Sequence, residues 1–188
     1  MSPRSPRLPR RSKETPEHLP GPVEGSIIRP ATQEDIATIV ALRALLFEAT
    51  GAPPEVVSDT AWQQDAARWL QLRLASGDAH VVVAEAHGTV VSCVMGQVVD
   101  LMPSPHRSGP GGRVSNVATF PRHRRLGFTG AIIEAVLTWF REETDVEVVS
   151  VGATEDGRSI YERFGFEEAA FPEMRLRIDR TPAEEEGE

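Results

Sequence analysis

Arg122-His123-Arg124-Arg125-Leu126-Gly127-Phe128-Thr129-Gly130 joins a β-branched, strand-like run at residues 114–119 to a strongly apolar, helix-like run at residues 131–140. The amides at a helix N-terminus have no intrahelical partner and point outward, and the aligned peptide dipoles place partial positive charge there. Glycine lets backbone approach an anion closely, so strand, basic glycine-bearing loop and helix start together form a phosphate cradle. The residues alone also admit an ordinary solvated turn, since arginines and glycines are common at helix starts.

Working outward, the apolar period names the neighbouring elements. Residues 26–29 read as a short strand, followed by Pro30 and by Thr32-Gln33-Glu34-Asp35, a capping threonine with acids in a first helical turn. Ile36, Ile39, Val40, Leu42, Leu45, Leu46 and Phe47 then recur at helical spacing up to Gly51, and a second helix runs from about Asp59, another cap, to about Ala75. Residues 80–85 and 89–99 are β-branched strands, with His87-Gly88 between them as a hairpin turn. Three prolines and three glycines make residues 101–113 a loop. After strand 114–119 come a long helix at 130–141, a strand at 146–151, a short helix at 158–163 and a last strand at 173–178. Three consecutive strands imply an antiparallel meander, whereas strand, helix, strand from 114 to 151 demands a parallel crossover. The fold class expected is α+β: a mixed, mostly antiparallel sheet flanked by helices, with one parallel crossover. A ligand crevice belongs at that parallel step, where the basic loop starts.

Composition restricts what the loop can serve. The 188 residues suffice for one domain with a full core, and no apolar run approaches the ~20 residues of a membrane span. The arginines near the N-terminus precede no apolar secretory region. Cys93, the single cysteine, lies in an apolar run and reads as a small core residue. These features point to a cytoplasmic protein. A net charge of -8 argues against general nucleic-acid binding. Its distribution is uneven: Arg4, Arg7, Arg10, Arg11 and Lys13 precede the first acid, and Glu184, Glu185, Glu186 and Glu188 crowd the end. Neither end carries enough apolar surface to offset the entropy of ordering. The expected organisation is a flexible basic arm (1–25), one domain (26–179) and an acidic tail (180–188).

The element order, the pattern Arg124, Gly127, Thr129, and the later Ile160-Tyr161-Glu162-Arg163-Phe164-Gly165-Phe166 together resemble the GNAT-type N-acetyltransferase superfamily over residues 26–178. Thr129 stands where that pattern has glycine or alanine, with Gly130 directly after it. The resemblance implies an acyl-CoA N-acyltransferase fold with acetyl-CoA as co-substrate and no metal. The acceptor would be a primary amine of a small molecule or a protein; no membrane or nucleic-acid partner is implied, and a homodimer is common among relatives.

Carried onto this chain, the resemblance gives backbone groups of Val117, Ala118 and Thr119 to the pantetheine arm, pairing like an added strand. Arg124, Arg125, Leu126, Gly127, Phe128, Thr129 and Gly130 would bind the pyrophosphate, and Thr154 and Gly157 would flank the pantetheine. Tyr161 would be the general acid that protonates the leaving CoA sulfur. Asn116 stands where many relatives have a glutamate base; an amide cannot take a proton, so it would position water or substrate. Glu155 and Asp156 are acidic alternatives, although Asp156-Gly157 is also an ordinary turn. The acceptor would be shaped by residues 47–57 and 101–113. Glu48 and Asp100 would suit a cationic amine and equally suit plain solvated surface. His106 and His123 read as solvated loop histidines. Because no base is evident, a non-catalytic acyl-CoA-binding or partner-docking module stands beside the transferase reading.

Overall fold

The computed structural model describes residues 18–77, 79–102, 108–171, 173–176 and 178. Its six strands form one sheet in sequence order: β1 (Leu19–Pro20), β2 (Ser26–Pro30), β3 (Ala79–Ala86), β4 (Thr89–Val99), β5 (Gly111–Thr119) and β6 (Val148–Val151). All neighbours pair antiparallel except β5 and β6, which run parallel. The helices are α1 (Ile36–Ala49), α2 (Pro54–Ser58), α3 (Thr60–Ser76), α4 (Phe128–Glu143) and α5 (Arg158–Glu162). The mixed sheet with a single parallel crossover is the fold class expected.

Local signals act as their chemistry predicts. The Asp59 carboxylate accepts from the Ala61 amide at 2.9 Å and starts α3, and Gly77, at φ +78°, ends it in the left-handed conformation. His87 and Gly88 both have positive φ, the condition for a two-residue hairpin whose twist matches its strands. Asp35 draws the chain entering α1 into a polar knot: its carboxylate accepts from the Thr32 amide at 2.7 Å and from both terminal nitrogens of Arg29, at 2.7 and 2.9 Å. Arg29 also donates to Glu85 on β3 at 2.8 Å, tying α1's start to two strands.

Each sheet face has its own core. Ile39, Leu42 and Leu70 of α1 and α3 pack with Val83, Cys93 and Met95 on one face; Ile132, Ile133, Val136 and Phe140 of α4 pack with Val94 and Val114 on the other. Gly96 permits α4's close approach, since a Cβ there would lie 2.6 Å from Val136 Cγ2. His80 stacks on Trp139 at 4.7 Å, and burial pushes its imidazole down to about 4, so it packs as a neutral ring.

Four differences from the sequence expectations bear on the site. Residues 19–20, expected within the flexible arm, add the edge strand β1, while residues 1–17 and 179–188 lie outside the described residues. Residues 54–58 form the extra helix α2, because Pro54 suits a first helical turn. Residues 111–113, expected in a loop, begin β5: Gly111 and Gly112 pair with Val99 and Val98, and a Cβ on Gly112 would press Val146 and Val149 at 2.9 Å. The strand expected at 173–178 is not formed by its described residues, which leave Met174, Leu176 and Ile178 exposed.

Candidate functional site

The crevice opens because β6 is shorter than β5. Pairing runs from Gly111 with Val148 to Val114 with Val151, and beyond Val114 the β5 edge pairs with no strand among the described residues. At that point β5 also bulges. Cys93 pairs with Ala118 and Met95 with Ser115, so residues 116 and 117 face the single Val94, and Asn116 takes the left-handed φ of +54°. Its side chain is held at both ends: the amide oxygen accepts from Arg43 Nη1 at 3.1 Å and the nitrogen donates to Cys93 Sγ at 3.5 Å. Beyond the bulge the Phe120 amide donates to Val91 on β4 at 3.0 Å. The alternation of strand backbone therefore turns Ala118 toward β4 and Val117 and Thr119 toward the vacated edge, where a ligand can pair as an added strand.

At the far end of that edge lies the Arg122 to Gly130 loop. Arg125 at φ +65° and Gly127 at φ +88° are both left-handed, which curls successive amides inward before α4. The amides of residues 125–130 donate to no acceptor among the described residues; the first helical bond runs from Ala131 N–H to Gly127 O at 3.1 Å. Six unpaired amides at the start of a 16-residue helix are the arrangement that can receive an anion. Arg124 braces the loop, its Nε donating to Thr119 O at 3.1 Å. The Thr129 side chain turns away from the cradle and lies 2.9 Å from Thr119 Oγ1, which is 2.6 Å from Ser92 Oγ. A hydroxyl chain thus anchors the cradle to β4 and β5, which accounts for a threonine where glycine or alanine was expected. Gly130 lends space as well: a Cβ there would meet nothing within 4 Å.

Gly127 itself has no such freedom. A Cβ there would lie 3.0 Å from Pro22 Cβ, and a left-handed non-glycine residue costs about 1–2 kcal/mol. Gly127→Ala is expected to lower stability by about that amount and to weaken CoA binding, read by thermal melting and calorimetry. An unchanged CoA affinity would remove the loop from the binding site.

Tyr161 lies on α5, beyond β6. It is buried in the cluster that holds Val114 and Phe128, with the Phe166 ring edge-on at 5.8 Å. Gly165, at φ +84°, closes the helix: the Phe166 amide donates to Tyr161 O at 3.2 Å and the Gly165 amide to Glu162 O at 3.0 Å. That closure is why the motif needs glycine between two aromatics. The Tyr161 hydroxyl makes no hydrogen bond among the described residues, and burial raises the phenol above its ordinary pKa. Thr154 Oγ1 accepts from the Gly157 amide at 3.2 Å, and Gly157 lies close to the ring: a Cβ there would be 3.6 Å from Tyr161 Cε2.

Other candidates fall elsewhere. Glu155 and Asp156 form an exposed turn, Asp100 is exposed, and Glu48 lines a separate cavity of about 430 Å³ with Phe120 and Pro121. His123 is half-buried with Nδ1 unpartnered, and His106 lies outside the described residues. Burial pushes the Cys93 thiol up to about 12, leaving a neutral packing group. Among the described residues no three His, Cys, Asp or Glu side chains are placed to hold a metal ion, and no helix is long and apolar enough to cross a membrane.

A second cavity, of about 400 Å³, opens beside the bulge between α1, α3, β4 and β5, lined by Arg43, Trp69, Arg113 and Ser115 as well as Asn116. Of these, Arg113 ends the segment 101–113 expected to shape the acceptor, whereas Arg43, Trp69 and Ser115 were not expected from the sequence. Arg43 carried a legible signal, for it lies four residues from both Ile39 and Phe47, on the apolar face of α1.

A family model described as an acetyltransferase (GNAT) domain matches residues 27–169. No curated protein matches the chain. Solved structures resemble the whole domain. A GCN5-related N-acetyltransferase from Ralstonia eutropha superposes with a TM-score of 0.72 at 24% identity, covering 81% of this chain and 99% of that one. A predicted acetyltransferase from Clostridium acetobutylicum, solved with acetyl-CoA, gives 0.70 at 20% identity, covering 80% and 96%. Glucosamine-6-phosphate N-acetyltransferase from Arabidopsis thaliana gives 0.65 at 15% identity, covering 83% and 100%. At these identities the likeness is one of fold.

Proposed function

Because this chain belongs to the GNAT acetyltransferase family, we propose that it transfers acetyl from acetyl-CoA to a primary amine by direct attack on the thioester. The observation that carries this reading is the continuity between the vacated β5 edge and the six unpaired amides at the start of α4. An extended arm ending in a pyrophosphate matches both at once: Val117 and Thr119 pair with its amides, and residues 125–130 hold its phosphates. The related fold solved with acetyl-CoA supports the choice of donor.

In the reaction a C–N bond forms as the amine attacks the thioester carbon, and the C–S bond breaks. Tyr161 gives its phenol proton to the departing sulfur and is reprotonated from water. The amine's proton leaves to water through the open cavity, with Asn116 fixing the bulge rather than accepting it. A pocket of about 400 Å³ beside the bulge receives the amine.

One observation favours the alternative of a non-catalytic acyl-CoA-binding module: among the described residues no carboxylate lines that pocket. Thiol release from acetyl-CoA, measured over a panel of small amines and lysine peptides, separates the two. Turnover on any amine supports the transferase, CoA binding without turnover supports the module, and failure to bind CoA overturns both.

A further inference from the structure

The 400 Å³ pocket at the bulge has a polar wall of one sign. Arg43 from α1 and Arg113 from β5 both line it, and among the described residues no aspartate or glutamate does. Neither guanidinium is paired with a carboxylate among the described residues. Arg43 is half-buried; it uses Nη1 on the Asn116 amide and rests over the Phe47 ring at 4.9 Å. Burial pulls its pKa down, the mark of a cation without a compensating charge. A guanidinium has five N–H donors in a planar fork, so both arginines retain donors for a planar or tetrahedral anion. Beside them Ser115 Oγ is buried with no hydrogen-bond partner, the state expected of a group that a ligand completes. Trp69, Leu70 and Met95 make the opposite wall apolar.

Charge decides between the acceptors the pocket can take. A polyamine or a lysine side chain with no nearby acid would bring positive charge against two arginines. A neutral-bodied amine would leave the half-buried Arg43 uncompensated, which is costly for a charge partly withdrawn from water. An anionic group satisfies Arg43, Arg113 and Ser115 together, and the volume falls within the roughly 300–1,000 Å³ of small-molecule pockets.

We propose that the acceptor is a small molecule carrying, besides its amine, an anionic carboxylate or phosphate group that seats on Arg43 and Arg113, with an apolar body against Trp69 and Leu70. The amine then points past Asn116 to the place where β5 and β6 part. This inference rests on the transferase reading and names its substrate class.

The test compares amines matched in body and differing in anion: phenylethylamine, phenylalanine and the aminophosphonate analogue of phenylalanine, with spermidine and a lysine peptide alongside. Wild-type kcat/KM is expected to be about tenfold or more higher on one of the anionic pair than on phenylethylamine, the value of a charged hydrogen bond. Whether phenylalanine or the phosphonate leads tells carboxylate from phosphate. Arg113→Gln, a change on an exposed strand position, is expected to shrink that ratio, mostly through KM, and Arg43→Lys to shrink it while keeping the charge but losing the fork. Equal turnover of phenylethylamine and both anionic amines, or a preference for spermidine or the peptide, would overturn the inference and leave the transferase reading intact. CoA binding with no turnover on any of the five would instead remove the transferase reading, and the inference with it.

Discussion

Tyr161→Phe is expected to lower kcat by about 10²- to 10⁴-fold, the usual worth of a positioned proton donor, while leaving CoA affinity unchanged. The ring is buried against the Val114 and Phe128 cluster, so phenylalanine keeps the packing and loses only the hydroxyl. That hydroxyl has no partner among the described residues, so its removal orphans nothing. The pH profile gives a second reading. Burial raises the phenol above its ordinary value, so Tyr161 stays protonated throughout the neutral range and any loss of kcat through its ionisation falls further into alkali than for a free tyrosine. The variant should lack that limb. A kcat within about threefold of wild type would show that water or another group protonates the sulfur.

Asp35→Ala is expected to destabilise the fold by about 2–4 kcal/mol, a fall in melting temperature of about 5–15 °C. Asp35 and Arg29 have side chains only 7% and 15% exposed, and removing one leaves the other's charge short of partners. Glu85 still reaches Arg29 at 2.8 Å, which keeps the loss below that of a fully severed buried pair. Burial by itself would raise the Asp35 carboxyl, but the hydrogen bonds from Arg29 and the Thr32 amide, with the charge of Arg29, outweigh it and hold the pKa below its ordinary value. A carboxyl whose folded pKa is depressed stabilises the protein above its unfolded pKa of about 3.9, and that contribution is lost as pH falls through the folded value. Asp35→Asn should therefore flatten the acid limb of the stability curve below about pH 4. A wild-type acid limb in that variant would place the acid sensitivity elsewhere.

The local chemistry was largely legible. The Asp59 cap, the His87-Gly88 turn, the apolar face of α4 and the glycines at 127 and 165 each act within a few residues of their own position, and their geometry follows from sterics and backbone hydrogen bonding. The strand misplaced at residues 173–178 shows the limit of the same reasoning. Alternation of Met174, Leu176 and Ile178 encodes a strand only when a sheet edge receives it, and the described residues of this segment pair with none.

By itself, then, the sequence determined the order of the elements from β2 to α5 apart from α2, the parallel crossover, and the basic loop and Tyr161 motif placed around it. Those features depend on short-range periodicity and on residues near in the chain. Only the tertiary structure decided that Asn116 would be clamped at a left-handed bulge by Arg43 and Cys93, and that Thr129 would anchor the loop through Thr119 and Ser92. It alone brought Arg43, Trp69, Met95 and Arg113 around one pocket. These residues lie up to 70 positions apart, from Arg43 to Arg113, and nothing in local propensity records which of them the sheet will bring together. The charge of the pocket beside the bulge is for that reason a property of the fold, hidden in a chain whose overall balance is acidic.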